Sequence, residues 1–272
     1  KTIVGEEFDQ DALSCNTVFY RLNAPTAKKE INYAYVIPEL TPLTGPSFGT
    51  FNSFNPENNG LAVYNWLSVF NPGSEAFSAT IEVYDQTGKP IAPSGIRISN
   101  LLPGQRRDIA LGHELGQVVG IYRVIPTNSS SEYGAFLTRF GRASDGEFNF
   151  SFALLASAGT CDSGPVPAST MGPALNWGEI ANPSTSKATV SVEVYSRNAT
   201  LLTKFNRTLL PLSQYHIFLN QYLGENNIGF FRVKCAGTNN PVLSQSLFYG
   251  RLNSKSNNVE WAYASQAKRS EE

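Results

Sequence analysis

An internal repeat with a period near 110 residues limits the folds open to this chain more than any other feature. Asn65-Trp66 recurs as Asn176-Trp177, Asn71-Pro72 as Asn182-Pro183, and Glu82-Val83-Tyr84 as Glu193-Val194-Tyr195, all 111 residues apart. Pro103, Ile109 and Leu115-Gly116 return as Pro211, Ile217 and Leu223-Gly224 at an offset of 108. Gly120, Arg123-Val124 and Gly141-Arg142 return as Gly229, Arg232-Val233 and Gly250-Arg251 at an offset of 109. Landmarks in a constant order, separated by small length changes, are what a duplicated unit leaves in a sequence. A partial third copy opens the chain. Phe19-Tyr20-Arg21-Leu22 followed by Glu30 matches Tyr249-Gly250-Arg251-Leu252 followed by Glu260, and the middle version is Phe140-Gly141-Arg142 followed by Glu147.

A unit of this length is too long for a solenoid repeat and fits one β-sandwich of about 100 residues. Local patterning agrees. Ala79–Tyr84 and Ala188–Tyr195 alternate and are rich in β-branched residues, and Asn71-Pro72-Gly73, Asp85–Gly88, Pro103-Gly104 and Asp145-Gly146 supply turns. Seven strands are predicted per repeat, near 64–70, 78–85, 95–101, 106–111, 118–125, 133–142 and 147–156, then near 175–181, 188–196, 201–210, 214–219, 228–235, 242–252 and 258–266. The Gly/Pro/Ser/Thr-rich stretches 38–60 and 158–173 read as linkers. The expected fold class is therefore all-β: two tandem antiparallel β-sandwich (Ig-like) domains over 61–157 and 174–268, preceded by a partial-repeat strand pair within 1–60. A two-stranded element is marginal alone, so that pair should pack on the first sandwich, pair with another chain or belong to a longer array.

The Asn-Pro turns at Asn71 and Asn182, the β-branched strands ending in Tyr84 and Tyr195, and the strand count resemble bacterial immunoglobulin-like or fibronectin-III-like surface repeats over residues 61–267. The antibody-type Cys…Trp…Cys spacing is absent, so the resemblance implies the sandwich architecture and not an immunoglobulin domain proper.

Charge points the same way. Lys+Arg total 21 and Asp+Glu 22, a net charge of −1, and charged residues make up 16% of the chain, against about 25% in an average soluble protein. Ser, Asn and Thr together number 69, so uncharged polar groups dominate the surface. There is no basic excess to neutralise phosphates, which argues against nucleic-acid binding. No run of 18 apolar residues exists, so no helical membrane span is expected. The opening Lys1-Thr2-Ile3-Val4-Gly5 lacks the pattern of a signal peptide and reads as a processed or trimmed start.

No nucleotide loop, nucleophile elbow or zinc-protease motif occurs, and no cofactor or metal is expected. Cys15, Cys161 and Cys235 allow three separate thiols or one disulfide and one free thiol, and spacing does not choose the pair. His113 and His216 have no counterpart His and no partner nearby in sequence. Asp145-Gly146 and Asp162-Ser163-Gly164 read as turns rather than calcium loops. Arg21/Glu30, Arg142/Glu147 and Arg251/Glu260 read as structural ion pairs locking hairpins. Trp66 and Trp177 read first as core or inter-sheet residues and second, with Tyr84 and Tyr195, as ligand-contacting aromatics.

These features point to a non-enzymatic extracellular, periplasmic or cell-surface protein for adhesion, scaffolding or ligand recognition. Its partners would be a surface glycan, a protein, or a second copy met through the N-terminal strand pair. The rivals are a pair of carbohydrate-binding modules, which need exposed aromatics (Tyr84, Tyr122, Tyr195 and Phe231 are candidates), and a glycan hydrolase with an inter-domain site, which needs two carboxylates about 5–10 Å apart.

Overall fold

The computed structural model describes residues 16–22, 31–38, 40–55, 63–112, 118–142, 148–237, 240–251 and 259–267. Within these the chain is all-β, and every strand pairing is antiparallel. β1 (Asn16–Leu22) and β2 (Ile31–Pro38) form a separate hairpin. The N-terminal sandwich holds β3 (Ser47–Asn52), β4 (Tyr64–Phe70), β5 (Phe77–Asp85), β6 (Ile96–Leu101), β7 (Arg106–Ala110), β8 (Val119–Pro126), β9 (Gly134–Arg142) and β10 (Phe148–Leu155). The C-terminal sandwich holds β11 (Val166–Ser169), β12 (Leu175–Asn182), β13 (Ala188–Ser196), β14 (Leu201–Leu209), β15 (Ser213–Phe218), β16 (Ile228–Cys235), β17 (Leu243–Arg251) and β18 (Val259–Gln266), with a one-turn helix α1 (Asn220–Leu223) before β16.

The N-terminal sheets run β3-β8-β5-β6 and β10-β9-β4-β7. Adding eight to each strand number gives the C-terminal sheets, β11-β16-β13-β14 and β18-β17-β12-β15. The duplication read from the sequence is thus a duplication of topology. It differs from the immunoglobulin arrangement, in which strands A, B, E and D share a sheet, because here the first strand of each unit lies beside the sixth.

Among the described residues each unit has eight strands rather than the seven expected. The extra one comes first, inside the stretches read as linkers: β3 within 38–60 and β11 within 158–173. Its sequences, Ser47-Phe-Gly-Thr-Phe-Asn52 and Val166-Pro-Ala-Ser169, carry Gly and Pro and so lack a strand signature. Pro167 is tolerated because β11 is an edge strand, where one backbone donor is not required.

The repeated dipeptides hold these strands. The Asn65 amide donates to the carbonyl of Asn52 and its Oδ1 accepts from the Asn52 N–H, while Asn176 Oδ1 accepts from the N–H of Ser169. Each Asn therefore pins the end of the first strand of its unit. Asn71 and Asn182 staple the next turn in the same way. Asn71 donates to Glu75 and Leu101 carbonyls and accepts from Gly73 N–H. Asn182 donates to Ser186 and Leu210 carbonyls and accepts from Ser184 N–H.

Strand alternation fills the cores. β5 sends Phe77, Ala79, Ile81 and Val83 inward, and β13 sends Ala188, Val190, Val192 and Val194. Tyr122 and Phe231 are fully buried core residues, which removes them from any exposed aromatic platform. Cys161 and Cys235 form a disulfide joining the approach to β11 to the end of β16; Cys15 lies outside the described residues.

Candidate functional site

The two sandwiches meet across a face that alternation in β12 creates. Ile180 points into its own core, whereas Leu175, Trp177, Glu179 and Ala181 point the other way. On the neighbouring β17, Leu247 and Tyr249 do the same. Leu247 and Tyr249 are buried members of the N-terminal sandwich's core, with Leu175, Trp177, Ala262 and Ala264 packed against it. A second cluster of Ile121, Ala181, Leu212 and Leu243, with Tyr84 against it, continues the junction.

A charged network crosses this junction. Glu179 has no exposed side chain. Its Oε2 accepts hydrogen bonds from Thr50 Oγ1 at 2.7 Å and Gln245 Nε2 at 2.6 Å, and its Oε1 accepts from Arg139 Nη1 at 3.3 Å. Arg139, also fully buried, donates from Nε to Asn65 Oδ1 and lies over the Phe152 ring. Gln245 also donates to Thr50 Oγ1. Thr50 and Arg139 come from the N-terminal sandwich, and Glu179 and Gln245 from the C-terminal one. Burial works against a charged Glu179, but Arg139, then His216, Thr50 and Gln245, outweigh it and hold its pKa below the usual carboxylate range.

His216 sits opposite Glu179 in the β12–β15 ladder, with Nε2 3.6 Å from Oε1. Burial lowers its pKa; the Glu179 carboxylate opposes that shift and the Arg139 charge adds to it. Glu179 and His216 line a cleft of about 300 Å³ between the sandwiches. Trp177 and Tyr249 form apolar walls, Asn52 and Gln86 supply amides, and Phe54 lies at the side. Trp177 is held by Phe218, 4.7 Å between ring centres, and by an edge contact with His216. The cleft sets an aromatic wall beside amides and an imidazole, while the Glu179 carboxylate lies buried behind it with both oxygens already partnered.

The residues singled out from sequence divide as follows. Neither tryptophan lies in the core of its own sandwich. Both occupy outward positions; Trp177 is covered by the neighbouring sandwich, and Trp66 is 39% exposed on β4. Tyr84 and Tyr195 also face outward, each donating its hydroxyl to the Glu two residues earlier, Glu82 and Glu193. That i, i+2 bond on one strand face accounts for the repeated Glu-Val-Tyr. Tyr84 closes the junction, whereas Tyr195 stacks on Phe230 away from it.

Of the proposed hairpin pairs, Arg251 donates from Nε to the Pro173 carbonyl, and Glu260 is exposed on β18. Glu30, Glu147 and the side chains of Arg21 and Arg142 lie outside the described residues, as does His113. The ladders also shift the alignment behind those pairs. Bulges fall between Arg21 and Leu22, at Gly141/Arg142 and between Gly250 and Arg251, so Arg21 matches Gly141 and Gly250, one residue away from the Arg-to-Arg match.

Glu179, Arg139 and Gln245 carry no signal in the sequence, and His216 reads there as isolated, because all four lie where the copies differ. Their counterparts at the repeat offsets are Ser68, Phe248, Phe136 and Asp108.

No protein-family profile and no curated protein sequence matches the chain. Among solved structures, a β-glucuronidase of Bacteroides uniformis is similar at 13% identity over 82% of this chain and 26% of its own, with a TM-score of 0.17. A glycosyl hydrolase family 2 member from Bacteroides cellulosilyticus aligns at 8% identity over 82% and 28%, TM-score 0.17. A Ruminococcus gnavus β-glucuronidase aligns at 12% identity over 93% and 44%, TM-score 0.20. The chain spans less than half the length of each, and at these TM-scores the likenesses carry no argument about its activity.

Proposed function

We propose that this chain is a non-enzymatic scaffold: a tandem β-sandwich protein of an extracellular or cell-envelope setting that holds a fixed geometry between its two units. The observation carrying this reading is the buried Arg139–Glu179–Gln245–Thr50 network across the junction. Sandwiches joined by a linker alone would reorient freely. Here a shift of either unit would strand a desolvated charge, which costs several kcal/mol. The Cys161–Cys235 disulfide suits an oxidising compartment. The carboxylate lining the cleft, Glu179, spends both oxygens on structural partners and stays ionised, so it is poorly placed to exchange protons. Small-angle scattering extrapolated to infinite dilution is the test: the intact chain should fit one rigid shape, and Glu179→Gln should broaden it into an ensemble. A wild-type chain that already scatters as two freely jointed bodies would sink the scaffold reading.

A second reading, recognition of a neutral glycan unit, is favoured by the cleft itself. Its volume sits at the lower end for small-ligand sites, and an aromatic wall beside amide groups suits a sugar ring. A glycan array followed by calorimetry tests it: binding should vanish in Trp177→Ala and survive in Trp66→Ala. A flat array response removes this reading and leaves the scaffold untouched.

A further inference from the structure

The three hairpins β1–β2, β9–β10 and β17–β18 can be superposed in register through their bulges. At one position each carries the same kind of cross-strand pair: Phe19 with Tyr35, Arg139 with Phe152, and Phe248 with Tyr263. The contacts are 4.9 Å between ring centres, 5.4 Å from guanidinium to ring, and 4.1 Å between ring centres. Each of the first two rungs then presses on the next hairpin at one equivalent place. Tyr35 meets Phe140 edge-on at 6.0 Å, and Phe152 meets Tyr249 edge-on at 6.2 Å. The hairpins therefore stack in series, β1–β2 on β9–β10 and β9–β10 on β17–β18.

Among the described residues the series is open at both ends, and the ends are apolar. Tyr263, on the third rung, is 44% exposed beside the equally exposed Trp261. At the other end Tyr20, the counterpart of Phe140 and Tyr249, is 60% exposed between Val18 and Val36, themselves exposed. The counterparts of Val18 and Val36 are Leu247 and Ala264, which pack against the N-terminal core. Exposed apolar patches of this kind mark interaction sites. One end presents the donor side, and the other the acceptor side, of an interface the chain already makes twice.

We propose that the partner is a second copy of this chain: β17–β18 of one copy seats on β1–β2 of the next, with Tyr263 against Tyr20, extending the stack head to tail. Such an interface joins two different patches, so it does not close on itself and propagates into open chains. The inference goes beyond the scaffold reading and rests on it only for its purpose.

Sedimentation velocity on the full chain tests the assembly. The wild-type protein should show mass growing with concentration. Tyr20→Glu and Tyr263→Glu should each sediment as a monomer with an unchanged far-UV spectrum. Mixing the two variants should restore a dimer and nothing larger, because one retains the donor end and the other the acceptor end. A wild-type chain that stays monomeric at every concentration, or assembly that survives both substitutions, would overturn the proposal. A rigid monomer by scattering at every concentration would do so while leaving the scaffold reading intact.

Discussion

Trp66 and Trp177 occupy the same position on the second strand of their sandwiches and have opposite fates. Trp177 is clamped in the junction against Phe218 and His216, and Trp66 is 39% exposed. The residue two places on explains the difference. Glu179 pairs across its ladder with His216 and reaches Arg139, Thr50 and Gln245 in both sandwiches. Ser68, its counterpart, pairs across its ladder with Asp108 and donates to it at 2.6 Å, within its own sheet. The repeated Asn residues pin the strands of each sandwich alike, and the diverged positions Glu179, Arg139 and Gln245 supply the charged contact between sandwiches.

The comparison breaks most readily at the network. Glu179→Gln leaves Arg139 buried without a counter-charge and should cost about 3–5 kcal/mol in denaturant unfolding. Replacing the pair together, Glu179→Leu with Arg139→Met, should recover most of that loss. A single-variant cost below about 1 kcal/mol, the worth of an exposed ion pair, would mean the network does not hold the junction.

Removing the disulfide with Cys161→Ser and Cys235→Ser opens a loop spanning a sequence separation of 74 residues. It should destabilise the chain by about 4 kcal/mol in the loop-entropy account. Because both cysteines belong to the C-terminal sandwich, hydrogen exchange should rise there and not in β3–β10. Equal loss in both sandwiches would mean the junction transmits the damage.

The tryptophans themselves sharpen the contrast at smaller cost. Trp177→Ala should lose about 2 kcal/mol, roughly half the value for a fully buried aromatic. Trp66→Ala, at an exposed site, should lose no more than about 0.5 kcal/mol. Equal losses by chemical denaturation would show that the junction contributes nothing at this position.

Acid should open the junction with the smallest and most graded effect. The folded pKa of His216 is depressed below 6.5, so the unfolded chain takes up that proton first and stability falls as pH drops below that value. Glu179 is depressed below 4.5, so its contribution, present above that value, is lost as pH falls through its folded pKa. His216→Gln should flatten the first part of the decline in a pH series of unfolding midpoints and leave the second. An unchanged profile would disconnect the imidazole from the network.

Much of the architecture was legible because strand periodicity and turn chemistry are local. Ala79–Tyr84 and Ala188–Tyr195 fold as their alternation predicts, and the repeated Asn residues do the same work twice. The first strand of each unit was not legible. Ser47–Asn52 and Val166–Ser169 owe their conformation to pairing with β8 and β16, not to their own residues. The register of the partial repeat was misleading for a related reason, since a bulge moves side chains without leaving a trace in spacing.

The candidate site was hidden for a different reason. Nothing near Glu179 in sequence indicates that its neighbours are Thr50, Arg139 and Gln245, residues 129, 40 and 66 positions away. The sequence by itself determined the duplication, the all-β class and the alternation of each strand, because these depend on patterns within a few residues or on the recurrence of patterns. Only the tertiary structure decided which outward faces would be covered. That choice depends on two sandwiches meeting, and it separates Trp177 from Trp66 and, among the described residues, leaves Tyr20 and Tyr263 exposed at the two ends of the hairpin stack.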